Sequence, residues 1–269
     1  MSISASLVKE LREKTGVGMM DCKKVLEETN GDLDAAVKSL REKGLSKAAK
    51  KSDRSTKEGR VVTYINNNIA VILELNCETD FVANNDNFVQ LGKTIAKAVS
   101  EHESEPSDIK ELNINGSKVS ELISDAVLQL GENINVGKYK KLNTTGSFSD
   151  YEHTNGKIGV LVEFSNAIGE EVGRDIAMQV AAMNPPYVSS DQVPTTDLEN
   201  ESDILRKQAI AEGKPEQVVE KIIEGRLTKF YKENCLVEQT FVKDPEKTIK
   251  DLLPADTAVK AFNRFSLVG

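Results

Sequence analysis

Groups reactive enough for covalent or acid–base chemistry are scarce in this chain, and none is spaced for it. The two histidines, His102 and His153, lie in polar surroundings with no cysteine or serine motif beside them, so the nucleophile–base pairing of an acyl- or thiol-transferring enzyme is missing. Cys22, Cys77 and Cys235 are an odd number at spacings that suit neither a disulfide framework nor a zinc site. Three reduced thiols, each a small core residue, are expected. Gly213-Lys214-Pro215 lacks the spacing of a phosphate-cradling loop, and the carboxylates do not cluster at metal-ligand spacing. The reading is therefore no catalytic residue, no metal, no cofactor and no direct nucleotide binding.

What remains is the chemistry of contact. Along Glu74-Leu75-Asn76-Cys77-Glu78-Thr79-Asp80-Phe81-Val82-Ala83 an apolar strand pattern, begun at Ile69, runs into an acidic turn that carries a large aromatic. Thr79 and Asp80 favour turns or helix caps, and a new helical period opens at Phe88, Leu91, Ile95 and Val99. Two fates follow for this junction. In the commoner one Asp80 caps a helix and Phe81 drops into the core; in the sharper one Asp80 and Phe81 form a rigidly presented plug for a partner's groove. A second such loop, Gly16-Val17-Gly18-Met19-Met20, places adaptable apolar side chains beside a helix start, suited equally to docking and to packing.

The elements that must carry these loops are legible in outline. Stripes at Leu7, Val8 and Leu11, at Cys22, Val25 and Leu26, and at Leu33, Ala36, Val37 and Leu40 predict three short helices, with Asp32 capping the third and Gly44 ending it. They form a head over residues 1–44. Residues 45–58, rich in Lys, Ala and Ser, read as a basic linker that would let the head be removed without unfolding the rest. Beyond it the pattern repeats. Gly59–Tyr64 and Ile69–Leu75 form a hairpin followed by a helix through Val99, and Gly146–Tyr151 and Ile158–Phe164 form another followed by a helix through Val180. The copies fill 59–142 and 143–269, an α+β core of antiparallel sheet plus helices. Where the first copy has its Thr-Asp-Phe turn the second has Asn166-Ala167-Ile168. Stripes either side of Gly213-Lys214-Pro215 predict an antiparallel helical hairpin at about 197–233, inserted as an arm, with Pro215 in the first turn of its second helix. Val259–Val268 supplies a last strand, returned to the second copy's sheet.

Composition limits the partners. No apolar run reaches the roughly 18 residues of a membrane span, and Met1–Lys14 lacks a secretory apolar block. Residues 1–60 hold 14 Lys+Arg against 10 Asp+Glu, and the remainder 21 against 33. So acidic a body disfavours nucleic acid as the main partner, because phosphate contacts need clustered cations. A protein partner is expected, as is a cytoplasmic location.

Taken together, Leu7-Val8-Lys9-Glu10-Leu11-Arg12-Glu13-Lys14-Thr15-Gly16-Val17-Gly18-Met19-Met20-Asp21-Cys22-Lys23-Lys24 and Thr79-Asp80-Phe81-Val82-Ala83 resemble translation elongation factor Ts of the bacterial type. The resemblance spans essentially the whole chain, including the duplicated core, the arm and Gly225-Arg226. It implies a guanine-nucleotide exchange factor for the GTPase EF-Tu, in its GDP-bound or nucleotide-free form, with a head similar to ubiquitin-associated (UBA) domains. It also implies that Thr79, Asp80, Phe81 and Val82 wedge into the GTPase domain and disturb its Mg²⁺ site. Thr15, Gly16, Val17, Gly18, Met19, Met20 and Lys23 of the head would then grip another side of that domain. Asn84 departs from the family, which usually carries Arg or Lys there. The alternative is an adaptor or RNA-associated protein that uses the helical head and basic linker. A homodimer and a heterotetramer with the GTPase are both left open.

Overall fold

The structure, a computed structural model, describes residues 3–213 and 215–268. Met1, Ser2, Lys214 and Gly269 lie outside the described residues, and with them the outer ends of the head and second copy and the middle of the Gly213-Lys214-Pro215 break. The head contains α1 (Ala5–Thr15), α2 (Met19–Glu28) and α3 (Leu33–Lys51). Ser4 caps α1 by accepting the Leu7 amide at 3.2 Å, and Gly16 ends it at φ 68°, where only a residue without Cβ is unstrained. Asp32 caps α3 as its position predicts, accepting the Ala35 amide at 3.0 Å.

The first copy follows with β1 (Glu58–Asn66), β2 (Ile69–Cys77), α4 (Asp80–Ala83), α5 (Asp86–Glu101), the short pair β3 (Asn113–Ile114) and β4 (Ser117–Lys118), α6 (Val119–Leu130) and β5 (Asn135–Asn143). Asn67, at φ 52°, allows a two-residue turn between β1 and β2. The second copy repeats the scheme with β6 (Ser147–Glu152), β7 (Ile158–Phe164) and α7 (Glu170–Met183). The arm, α8 (Thr195–Ala211) and α9 (Glu216–Asn234), comes next, then β8 (Thr240–Phe241), β9 (Asp244–Thr248), α10 (Ile249–Leu252) and β10 (Val259–Ser266). The sheets are ordered β1-β2-β5 and β6-β7-β10 and are antiparallel throughout. Each copy is thus a hairpin, a helix and a returning strand that pairs with the hairpin's second strand. Strand β5 has no apolar alternation to announce it. Its buried Lys141 instead sends Nζ to the carbonyls of Ser100 and His102 at the end of α5, where a cation suits the exposed carbonyl oxygens.

The two sheets pack face to face. Val61, Ala70 and Ile72 of the first meet Phe148 and Leu161 of the second, while the opposite faces bury Val71, Leu73 and Leu75 under α5 and α6, and Val160, Val162 and Phe164 under α7. Central strands β2 and β7 are therefore apolar on both sides. Gly159 permits the close approach, because a Cβ there would stand 2.4 Å from Cγ1 of Val61. The arm has a small core of its own, Leu205, Ala209, Val219 and Ile223. Pro215 precedes α9 as its cap residue, not within its first turn.

The expected linker at 45–58 is corrected by these contacts. Helix α3 does not stop at Gly44 but runs on to Lys51, through Ala and Lys residues that favour helix. Gly44 instead lets α3 cross α6 closely: an added Cβ would lie 3.1 Å from the Ser124 carbonyl oxygen. Leu128 of α6 is buried in the head's own core beside Val8, Leu11 and Leu40. Residues 52–56 are held as well, with Asn133 Nδ2 donating to the carbonyls of Ser52 (3.3 Å) and Arg54 (2.9 Å), and Asn135 Nδ2 to Thr56 Oγ1 (2.9 Å). Nothing in this stretch is a free tether.

Candidate functional site

Strand β2 ends with Cys77 pointing inward, and the chain leaves it through a hydrogen-bonded bend. The Cys77 thiol donates to the Thr79 carbonyl at 3.1 Å. Thr79, extended at φ −128°, caps the single turn of α4, and the Ala83 amide reaches its carbonyl at 3.1 Å. Val82 and Ala83 then face the core under β2. With those two inward, Phe81 must point the other way, and it is 84% exposed with Asp80 exposed beside it. Two expectations are thereby corrected: Thr79, not Asp80, is the cap, and Phe81 does not enter the core. A large aromatic held in water on an ordered turn is the feature this molecule has least structural reason to keep.

The turn is clamped from outside. Glu132, just beyond α6, accepts hydrogen bonds from the amides of Glu78 and Thr79, each at 3.0 Å, and from the Thr79 hydroxyl at 2.6 Å. Glu78 answers by accepting the Asn133 amide at 2.7 Å and Arg54 Nη1 at 3.4 Å, and the Asn133 amide is the main cause that holds its carboxyl below the usual carboxylate range. After the turn, Asn84 Nδ2 donates to the Asp80 carbonyl at 2.9 Å, while Arg60 Nη1 of β1 reaches Asn84 Oδ1 at 3.3 Å. A guanidinium therefore stands beside Asn84. Glu132, Asn133 and Arg60 are missed by sequence reasoning because none sits in a periodic stripe or near residue 80 in the chain.

Burial is the largest cause that pushes the Cys77 thiol up to about 12, with the Glu132 carboxylate adding to it. A thiol raised in the folded state contributes stability that is complete below its ordinary value of 9.0 and is lost as pH climbs toward about 12. Two outcomes are expected: slow modification of Cys77 by a thiol reagent at pH 8 in the native protein, and a urea midpoint that falls as pH rises above 9. Rapid native-state labelling at a rate matching an unfolded control would contradict this.

In the head, the predicted loop divides. Val17 is buried at 2% exposure and cannot meet a partner from the core; it pins the loop instead. Gly16 supplies the left-handed turn and Gly18 the cap of α2. Thr15 bonds inward to the Leu11 carbonyl at 2.7 Å, and its own carbonyl accepts Gln129 Nε2 of α6 at 2.7 Å. Met19, Met20 and Lys23 remain outside, the methionines 55% and 76% exposed. Turn and loop thus offer exposed apolar tips on ordered backbone.

Other arrangements do less. A cleft of about 1130 Å³ between α5 and β6–α7 is lined by the charged Lys93, Lys97, Asp150, Glu152 and Arg174 together with the apolar Ile65, Phe148 and Ile168. Among the described residues no group of three or more His, Cys, Asp or Glu is placed to hold a metal ion, and no helix is long and apolar enough to cross a membrane. Residues 78–268 match the family model described as Elongation factor TS. That match begins at the clamped turn and runs through the second copy and the arm, so the chain belongs to the elongation factor Ts family, whose members catalyse no chemical reaction but serve as nucleotide-exchange factors for EF-Tu in translation elongation.

Proposed function

We propose that this chain releases GDP from EF-Tu by inserting the Asp80–Phe81 turn into the GTPase domain and disturbing the elements that hold its Mg²⁺. Thr79 and Val82 fix the turn, and Met19, Met20 and Lys23 of the head grip a second side of the same domain. The observation that carries this reading is Phe81, 84% exposed on a turn whose neighbours are buried or hydrogen-bonded. Burying such a ring in a partner's groove recovers the hydrophobic free energy that folding left unused. A magnesium ion offsets phosphate charge, so displacing the groups around it weakens the whole nucleotide site. Exchange then follows from linkage: a factor that binds the empty GTPase better than the GDP form must weaken the binding of GDP in the same ratio.

The rival reading, an adaptor or RNA-associated protein working through the helical head and basic linker, has less support because several of the linker's cations have partners within the fold. Lys47 is bound to Asp21 at 3.1 Å, Lys51 to the Gly131 carbonyl, and Arg54 to Glu78 at 3.4 Å. Three of the five cations in 45–58 therefore have partners within the fold. The test is a stopped-flow assay with EF-Tu loaded with fluorescent GDP. Addition of the chain is expected to accelerate GDP release, whereas the chain alone binds neither GDP nor GTP. Release at the spontaneous rate, or micromolar binding of nucleotide by the isolated chain, would reject the proposal.

A further inference from the structure

The two contact loops lie about sixty residues apart in the chain yet are anchored on one short stretch at the end of α6. Leu128 is buried in the head core and Gln129 Nε2 holds the Thr15 carbonyl at 2.7 Å, filling the space where Gly16 lacks a Cβ. Gly131, in the left-handed region at φ 79°, turns the chain and accepts Lys51 Nζ from the end of α3. Glu132 takes the amides of residues 78 and 79 and the Thr79 hydroxyl, and buried Asn133 ties residues 52 and 54 to the same place. Three donors on one carboxylate is a strong, directional restraint, because hydrogen bonds to an ionised acceptor are shorter and stronger than neutral ones. The Thr79 hydroxyl that Glu132 holds in turn accepts the Val82 amide, at a long 3.4 Å. A four-residue helix is too short to hold its own shape.

We infer that Glu132 is a positioning residue for exchange: it presets the Asp80–Phe81 turn and, through the stretch 128–133, registers that turn against the head so that the two loops meet the GTPase as one rigid surface. Glu132 does not touch the partner in this account. Its effect passes through Phe81, and it therefore rests on the reading given above. Preorganisation of this kind lowers the ordering cost of binding and of the displacement step.

The test is a double-mutant cycle on the full chain with EF-Tu and fluorescent GDP, combining Glu132→Ala with Phe81→Ala. Glu132→Ala is expected to lower kcat/KM for GDP release about tenfold when Phe81 is present, mainly in kcat, and less than about twofold when Phe81 is absent. Glu132→Gln, which keeps the shape and one acceptor oxygen, should lose less. A purely structural role would give the same loss in both backgrounds, and that result, or no loss at all, would overturn the inference. Hydrogen exchange at the Val82 and Ala83 amides separates this inference from the functional reading beneath it. If Phe81→Ala alone leaves GDP release unchanged, the wedge reading fails. In that case faster exchange in Glu132→Ala still supports the clamp, and unchanged exchange overturns it.

Discussion

Replacing Phe81 by Ala is expected to slow catalysed GDP release from EF-Tu by about one to two orders of magnitude, roughly 1.4–3 kcal/mol of lost coupling, with Asp80→Ala in the same range. The unfolding midpoint of either variant should stay that of the parent, within about 0.5 kcal/mol, as for any exposed substitution clear of a cap or a buried bond. This separation is possible because Phe81 is 84% exposed and Thr79, not Asp80, closes the turn. A loss of stability as large as the loss of rate would mean that the ring packs somewhere in solution. Unchanged release kinetics in both variants would make the turn an ornament of the fold and end the wedge reading.

Deletion of residues 1–44 is expected to destabilise what remains, on the order of 2–4 kcal/mol, because it uncovers Leu128 and the face of α6 that α3 crosses. It also leaves a stub of α3 from Leu45 to Lys51, with nearly two-thirds of the 19-residue helix gone. Such a truncation cannot report cleanly on docking. The double change Met19→Ala and Met20→Ala can, since both side chains are more than half exposed: it should weaken the complex with EF-Tu in calorimetry while leaving the urea midpoint in place. A truncated chain as stable as the parent would show that α6 needs no cover. Full affinity in the double variant would remove the head loop from the interface.

Much of the architecture was legible because it is written in local periodicity. The stripes at Val8 and Leu11, at Cys22, Val25 and Leu26, and along α5 and α7 each set a helix by themselves, and Asp32 marked its own cap. The runs Ile69–Leu75 and Ile158–Phe164 announced central strands, and their likeness announced the repeat. Residues that fold against neighbours a few positions away leave that kind of signal. Strand β5 left none, because its buried face includes a lysine whose partners are carbonyls forty residues upstream. The run 45–51 was misread for a related reason: Gly44 looks like a stop unless one knows that a second helix passes there and requires the missing Cβ.

The candidate contact residues can be read from the chain alone, since an aromatic after Thr-Asp at a strand end and paired methionines after Gly-Val-Gly stand in consecutive positions. Which way they face is set by long-range packing. In one turn of helix nothing local distinguishes Phe81 from Val82, and both are apolar. The choice falls to the seat of Val82 and Ala83 under β2 and to the grip of Glu132 on the backbone of Glu78 and Thr79 from more than fifty residues away. Hydrogen bonds of that kind join groups that approach only after the sheets and α6 have packed, so no spacing along the chain foretells them.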